Sequence, residues 1–358
     1  MAFRILAINP GSTSTKIALY EDELELFCQN VEHSVQQLSE FSKLTDQFEM
    51  RKNVVLEALE NHGYDAKTLS AVVGRGGMLP PVKAGGYLVN QCMKDRIING
   101  PIIAHASNLG ALIASSIAEP YNIPSYIYDA VSSDELYEVA KVTGIPEIVR
   151  QSFCHVLNSK AIARKVAERL GKRYNEMNFV IAHLGGGISI SAHEKGHIVD
   201  VITDDAGPFS PERSGSIPLL NIVDICYSGE YSKSEMQKKL RGMGGVKAHL
   251  GTHDLREVEK MMAAGNEKAD LIFRAQAYQI SKGIGELAPV LKGNIDAIIL
   301  TGGVAHSKSL TQMIAERVSF IAPVEIMPGE NELESLSYGV LRILRGEESA
   351  NEYVEREI

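Results

Sequence analysis

Residues 3–8, FRILAI, form a short apolar run that stops at the polar, turn-forming NPGSTST, and alternation then resumes in KIALYED. That order predicts a strand, a tight polar turn and a returning strand, since strands alternate sides and turn residues interrupt them. The design recurs at residues 178–192, where NFVIAH leads into LGGG and then ISISAHE, with EKGHIVDVI as a further strand. Setting Gly11 against Gly186 brings the two copies into register, although the side chains of the two turns differ. A third apolar run, IDAIILT at 295–301, meets Gly302-Gly303 and then VAHSKSLTQMIAERV, whose apolar spacing is helical. Amphipathic helical stretches are expected around 34–62, 103–118, 157–170 and 267–292, with a closing helix at 334–345. Strands alternating with helices predict an α/β protein, and the repeated hairpin predicts a duplicated one.

The length of 358 residues suits two domains. No Pro/Ser-rich linker separates them. The expected division is a first lobe of residues 1–153 plus about 337–358, and a second of 154–336, with the chain crossing after GIPEIVRQS and the last helix returning. A hydrophobic content of 44% and a charged content of 23% are ordinary for a globular chain. The net charge of −9 opposes a sequence-independent hold on nucleic acid, while a few arginines and backbone N–H groups can still bind a small anion locally. Cys28, Cys92, Cys154 and Cys226 are widely spaced and are expected as reduced thiols. No apolar run approaches the ~20 residues that span a bilayer, and no signal-peptide pattern opens the chain, so a cytoplasmic protein without membrane or nucleic-acid partners is expected.

The chemistry concentrates in the turns. Asn9-Pro10-Gly11-Ser12-Thr13-Ser14-Thr15-Lys16 offers an amide, hydroxyls and backbone N–H groups at a bend where small residues admit an anion. It lacks the G-x-x-x-x-G-K-[ST] spacing of a P-loop, and a strand follows it. His183-Leu184-Gly185-Gly186-Gly187 is a second such clip, whose glycines cost chain entropy unless something must approach the backbone. Gly302-Gly303, before a helix, would let a flat nucleoside lie against the turn. Arg75 in VVGRGGM and Arg213 in PERSGS place guanidinium forks in glycine-flanked loops, suited to carboxylate or phosphoryl oxygens. His105, Asp129 and His155 are polar residues in less polar settings, and Glu330, Glu332 and Glu334 cluster in PGENELE.

Two phosphate hairpins and a nucleoside diglycine, in that order, resemble the actin, hexokinase and sugar-kinase ATPase superfamily, whose fold is a two-lobed, duplicated ribonuclease H-like α/β architecture with the site in the interdomain cleft. The segments INPGSTSTKIALYE, VGRGGMLPPV, HLGGGISISAHEKGHIVD, FSPERSGSIP, LTGGVAHS and PGENELESLSYG resemble the butyrate kinases and, more distantly, the acetate kinases of the acetokinase family, from Phe3 to about Gly346. The resemblance implies transfer of the γ-phosphoryl of ATP to a short or branched fatty-acid carboxylate, reversibly and in line, with magnesium. It places Arg75 on the substrate carboxylate, Arg213 on the phosphoryl group, His155 at the transition state, Asp129 near metal and arginines, and His105 in the acyl pocket. Asn9, Gly11, Ser12, Ser14 and Lys16 would serve the first phosphate clip, His183 and Gly185 to Gly187 the second, and Gly302 and Gly303 the nucleoside. Glu332, with Glu330 in reserve, would hold magnesium together with Asn9 and Asp129. Acetate kinases carry Phe-His-Gly-Thr-Ser-His where this chain reads Phe153-Cys154-His155-Val156-Leu157-Asn158-Ser159, and a Gly-Asn-Gly turn where it has three glycines. Relatives imply at least a dimer.

A carboxylate is already ionised at neutral pH and needs no base, so the catalytic demand falls on alignment and on positive charge. A hydroxyl kinase would need Asp129 as general base instead. A nucleotide-switched filament or chaperone protein on the same fold is the other alternative.

Overall fold

The structure is a computed structural model that describes residues 2–100 and 105–355. Contacts divide the chain into two compact units, one of Met1–Asp134 with Asn331–Ile358 and one of Glu135–Glu330. The sequence placed these crossings near residues 153 and 337. In the structure Leu136 packs with Cys154, Val156, Ile198 and Val201, which ties the connecting segment to the second unit.

In chain order the strands are β1 (Arg4–Pro10), β2 (Ser14–Glu21), β3 (Leu24–Glu32), β4 (Ala71–Arg75), β5 (Gly86–Leu88) and β6 (Ser125–Tyr128), then β7 (Asn178–Leu184), β8 (Ile188–Glu194), β9 (His197–Ile202), β10 (Ala297–Gly302) and β11 (Val324–Pro328), and finally β12 (Asn351–Glu352). The first unit's sheet runs β12-β5-β6-β4-β1-β2-β3 and the second's β11-β10-β7-β8-β9. In each, the first three strands form an antiparallel meander, and two further strands add in parallel on the far side of the first, β4 and β6 in the first unit and β10 and β11 in the second, while β5 runs antiparallel to β6. The duplication reaches into the detail. Thr15 and Ile188 are the first residues of the returning strands to pair with the strand before, and the same distance beyond each lies a β-bulge, at Leu19/Tyr20 and at Ala192/His193. The turn beyond is made in each by a non-glycine residue with left-handed backbone, Asp22 (φ 53°) and Lys195 (φ 47°).

The apolar runs β1, β7 and β10 are buried along almost their whole length, as strands covered on both faces must be. Helix Leu109–Ala118, buried at every position but Ser116, lies against β4 so closely that a Cβ on Gly74 would stand 2.1 Å from Gly110 O, and one on Gly110 would stand 2.4 Å from Arg75 O. Helix Glu332–Leu344 packs on β1, β2, β4 and β6. The stretch expected as helix over 34–62 is broken into Val35–Ser39, a 3-10 turn Leu44–Gln47 and Phe48–Asn61. The Asp46 carboxylate causes the restart by accepting from Lys43 N–H and Ser42 Oγ, both at 3.0 Å. The 103–118 stretch begins partly outside the described residues, and the 267–292 stretch ends as helix at Leu287, before a 3-10 turn opened by Pro289.

Candidate active site

In the first unit Ile8 of β1 pairs in parallel with Gly74 of β4, so Asn9 and Arg75 emerge side by side at the carboxyl ends of neighbouring strands. Asp129 emerges likewise after β6. Open α/β sheets bind ligands at this edge. Helix Glu332–Leu344 brings its first residue to the same place: Arg75 Nη1 lies 3.0 Å from Glu332 Oε1, and Asn9 Nδ2 donates to Glu332 Oε2. Arg75 Nη1 is also 3.5 Å from Asn9 Oδ1. His105 Nδ1 accepts from the Ser107 N–H at 3.2 Å, and burial, with the Arg75 charge added, holds its pKa below the usual imidazole range. Asp129 is buried with left-handed backbone (φ 42°), and it exchanges two bonds with Gly85, through Gly85 N–H to Oδ1 at 2.9 Å and Asp129 N–H to Gly85 O at 3.1 Å.

The first hairpin, Gly11 to Ser14, closes through Gly11 N–H to Ser14 O at 2.8 Å. Ser12 and Thr13 are exposed and Thr15 is fully buried. Lys16 stands opposite Asn9 in the ladder. Beneath the turn lies a residue not singled out in the sequence, Arg51, which donates to Ser12 O, Ser14 O and Thr15 Oγ1. A signal was there, because Arg51 occupies the stripe that Val55, Ala58 and Leu59 bury on helix Phe48–Asn61.

In the second unit the His155 and His183 rings stack with centroids 3.7 Å apart. Ser189 Oγ lies 2.9 Å from His155 Nδ1. Asn158 Nδ2 donates to His183 Nδ1 at 2.9 Å, which leaves the His183 proton on Nε2, 3.3 Å from Glu330 Oε1. Glu330 therefore stands with the second unit's histidines, and Glu332 with Asn9 and Arg75 in the first. The glycine turn is closed by Gly185 N–H to Gly187 O at 3.1 Å, while Gly186 O accepts from Ser210 Oγ and from Glu212 N–H. Arg213 Nε lies 3.3 Å from Asp204 Oδ2, and Arg241 holds the other Asp204 oxygen at 2.6 Å. Gly302 has φ 90°, and a Cβ there would meet Leu184 O at 2.4 Å, so the turn at the end of β10 demands glycine. Gly303 faces open space at a cavity of about 610 Å³, which Gly185, Gly186, Val304, Ser307 and Glu330 help to line. That volume lies in the range of small-ligand sites.

Two copies of one sheet, each presenting glycine or hydroxyl turns at the carboxyl ends of its strands, define the actin-like ATPase fold. Solved structures agree: Porphyromonas gingivalis acetate kinase (18% identity, TM-score 0.77, 96% of this chain and 100% of that one), a propionate kinase from Francisella tularensis subsp. tularensis SCHU S4 (19%, 0.73, 94% and 98%) and Entamoeba histolytica acetate kinase (16%, 0.75, 94% and 98%). At these identities the likeness is one of fold. The family follows from the sequence: residues 129–337 match the acetokinase family model, and the chain belongs to the acetokinase family. It is thereby a carboxylate kinase.

Among the described residues no cluster of three or more His, Cys, Asp or Glu could cage a metal, and no helix is long and apolar enough to cross a membrane. Magnesium requires no such cage, because it binds through one or two carboxylates together with substrate phosphates and water. Glu332 and Asn9 offer such a partial set. All four cysteines are free thiols, and burial pushes Cys154 up to about 12, which makes it inert.

Proposed function

We propose that this chain transfers the γ-phosphoryl of ATP to the carboxylate of butyrate or a related short or branched fatty acid, giving acyl phosphate and ADP. The Arg75–Glu332–Asn9 cluster carries the reading, because it sets a guanidinium fork at a strand end near a half-buried histidine whose pKa burial and the Arg75 charge lower. In this reading Arg75 exchanges Glu332 for the substrate carboxylate, and His105 borders the acyl chain. Glu332 and Asn9 are then available to magnesium, which would neutralise charge on the phosphates. His155 and Arg213 bear on the transferring oxygens, the two hairpins hold phosphates, and the Gly303 cavity takes the nucleoside. Butyrate is preferred over acetate because the six ordered segments resemble butyrate kinases more than acetate kinases. Asp129, locked to Gly85, supports the loop, and an ionised acceptor asks no base of it.

Incubation with MgATP, hydroxylamine and a panel of acetate, propionate, butyrate, isobutyrate and glycerol tests this. Acyl hydroxamate that peaks with four-carbon acids is expected. ADP from glycerol without hydroxamate would replace the reading with a hydroxyl kinase, and equal rates across the acids would remove the butyrate preference.

A further inference from the structure

We propose that Arg51 is a positioning residue that arms the Gly11–Ser14 hairpin to receive the polyphosphate of the nucleotide; the proposal rests on the ATP-dependent reading above.

Arg51 is 0% exposed, yet among the described residues no carboxylate pairs with it. A buried guanidinium without a counter-ion is costly, so its donors must be met by dipoles. They are: Nη1 donates to Ser14 O at 3.0 Å and Thr15 Oγ1 at 3.1 Å, Nη2 to Ser12 O at 3.4 Å, and Nε and Nη2 to Gln47 Oε1 at 3.1 and 3.0 Å. His33 N–H takes the remaining carbonyl of the turn, Thr13 O, at 2.8 Å. The carbonyls of Ser12, Thr13 and Ser14 thus all face protein donors. Among the described residues the N–H groups of Ser12 and Thr13 make no hydrogen bond to protein, and both residues are exposed. A turn whose carbonyls are drawn inward presents its amides outward, which is the polarity an anion requires. The uncompensated charge lies on the inner side of the same turn, where low dielectric lets it act across the short distance to a bound phosphate. Thr15 completes the support, because its Oγ1 accepts from Arg51 and lies 2.8 Å from His33 Nε2.

The test measures binding of magnesium tripolyphosphate and of adenosine, separately, to wild type, Arg51→Lys, Arg51→Met and Gln47→Leu. Tripolyphosphate affinity is expected to fall about tenfold for Arg51→Lys, which keeps the charge and loses the fork, and about a hundredfold for Arg51→Met, with adenosine affinity unchanged. Gln47→Leu, which frees the guanidinium without removing it, should fall less. In turnover the loss should appear in KM for ATP and leave KM for the carboxylate in place. Wild-type tripolyphosphate affinity in folded Arg51→Lys and Gln47→Leu would overturn the proposal, as would an equal loss for adenosine and tripolyphosphate, which marks general damage. If Arg51→Met does not fold, the other two variants decide. Failure of the wild type to make acyl phosphate would sink the kinase reading alone, since the tripolyphosphate comparison does not depend on turnover.

Discussion

The two hairpins stand at equivalent places in two copies of one sheet, and they are braced by opposite means. Under Gly11–Ser14 lies a buried cation that grips carbonyls. Around Gly185–Gly187 lie hydroxyl, amide and carboxylate groups: Ser210 and the Glu212 N–H on Gly186 O, with Asp204 close enough that a Cβ on Gly187 would meet its Oδ2 at 3.1 Å. Strand order, bulge and turn are kept while the chemistry of the turns has separated. Backbone geometry is constrained by the core on both faces of the sheet, whereas the turn at its edge has no core to hold its side chains fixed. The same split runs through the arginines. Arg75 projects from a strand end and pairs with a carboxylate on a helix N-terminus, while Arg213 lies in a loop against Asp204, which a second arginine shares.

The largest effect should come from removing these guanidinium groups. Arg75→Ala is expected to lower kcat/KM about a thousandfold with much of the loss in KM for the acid, and Arg213→Ala to lower kcat by a similar factor with that KM nearly kept. Hydroxamate kinetics across acid concentrations separates them. Identical KM and kcat patterns for the two variants would erase the distinction drawn between the units.

Glycines sharpen the comparison at smaller cost. Gly302→Ala combines φ 90° with backbone 2.4 Å from the new Cβ, so it should destabilise the second unit by about 2–4 kcal/mol. Gly11→Ala, whose Cβ would find Ser14 O at 3.4 Å, and Gly303→Ala, which meets nothing within 4 Å, should each stay within about 0.5 kcal/mol of wild type. Thermal unfolding checks this. A well-folded Gly302→Ala, or an unstable Gly303→Ala, would contradict the geometry.

Legibility in the sequence followed the same division between skeleton and site edge. The hairpins could be read because alternation and turn residues are local signals, and the diglycine because a buried run stops there. β4 was hidden: AVVGR is five residues long with a glycine inside, so Arg75 looked like a loop residue. That glycine serves the close approach of helix Leu109–Ala118, a contact between distant residues that no local pattern carries. The short helices Leu219–Tyr227, Lys233–Leu240, Gly245–Leu250 and Leu255–Ala263 were not anticipated either. Glu330 and Glu332 stand in one acidic cluster of the sequence, and only the structure gives them different partners, His183 for Glu330 and Arg75 for Glu332. Arg51 was legible as a charge on an apolar stripe, but what it holds lies on other elements.

The smallest effect tests whether the matched bulges carry matched residues. At the first stands Tyr20, whose hydroxyl donates to Glu25 Oε2 at 2.8 Å and whose pKa is raised by burial and by that carboxylate. At the second stands His193, fully buried between Tyr174 OH at 2.7 Å and Ser191 Oγ at 2.8 Å, with its pKa lowered well below the usual value by burial, Lys160 and Arg164. The signs differ. Unfolded histidine takes up a proton below about pH 6.5 while folded His193 does not, so the second unit should lose stability as pH falls from about 6.5 toward the folded value. Unfolded tyrosine ionises above about pH 10 while folded Tyr20 does not, so the first unit should weaken as pH rises beyond that. Amide hydrogen exchange at acid and alkaline pH, read on peptides from β8 and β2, should show protection lost first in β8 at low pH and in β2 at high pH. His193→Gln should flatten the acid limb in β8 alone. Equal loss in both strands at low pH would mean that other groups, and not the bulge residue, set the acid limit.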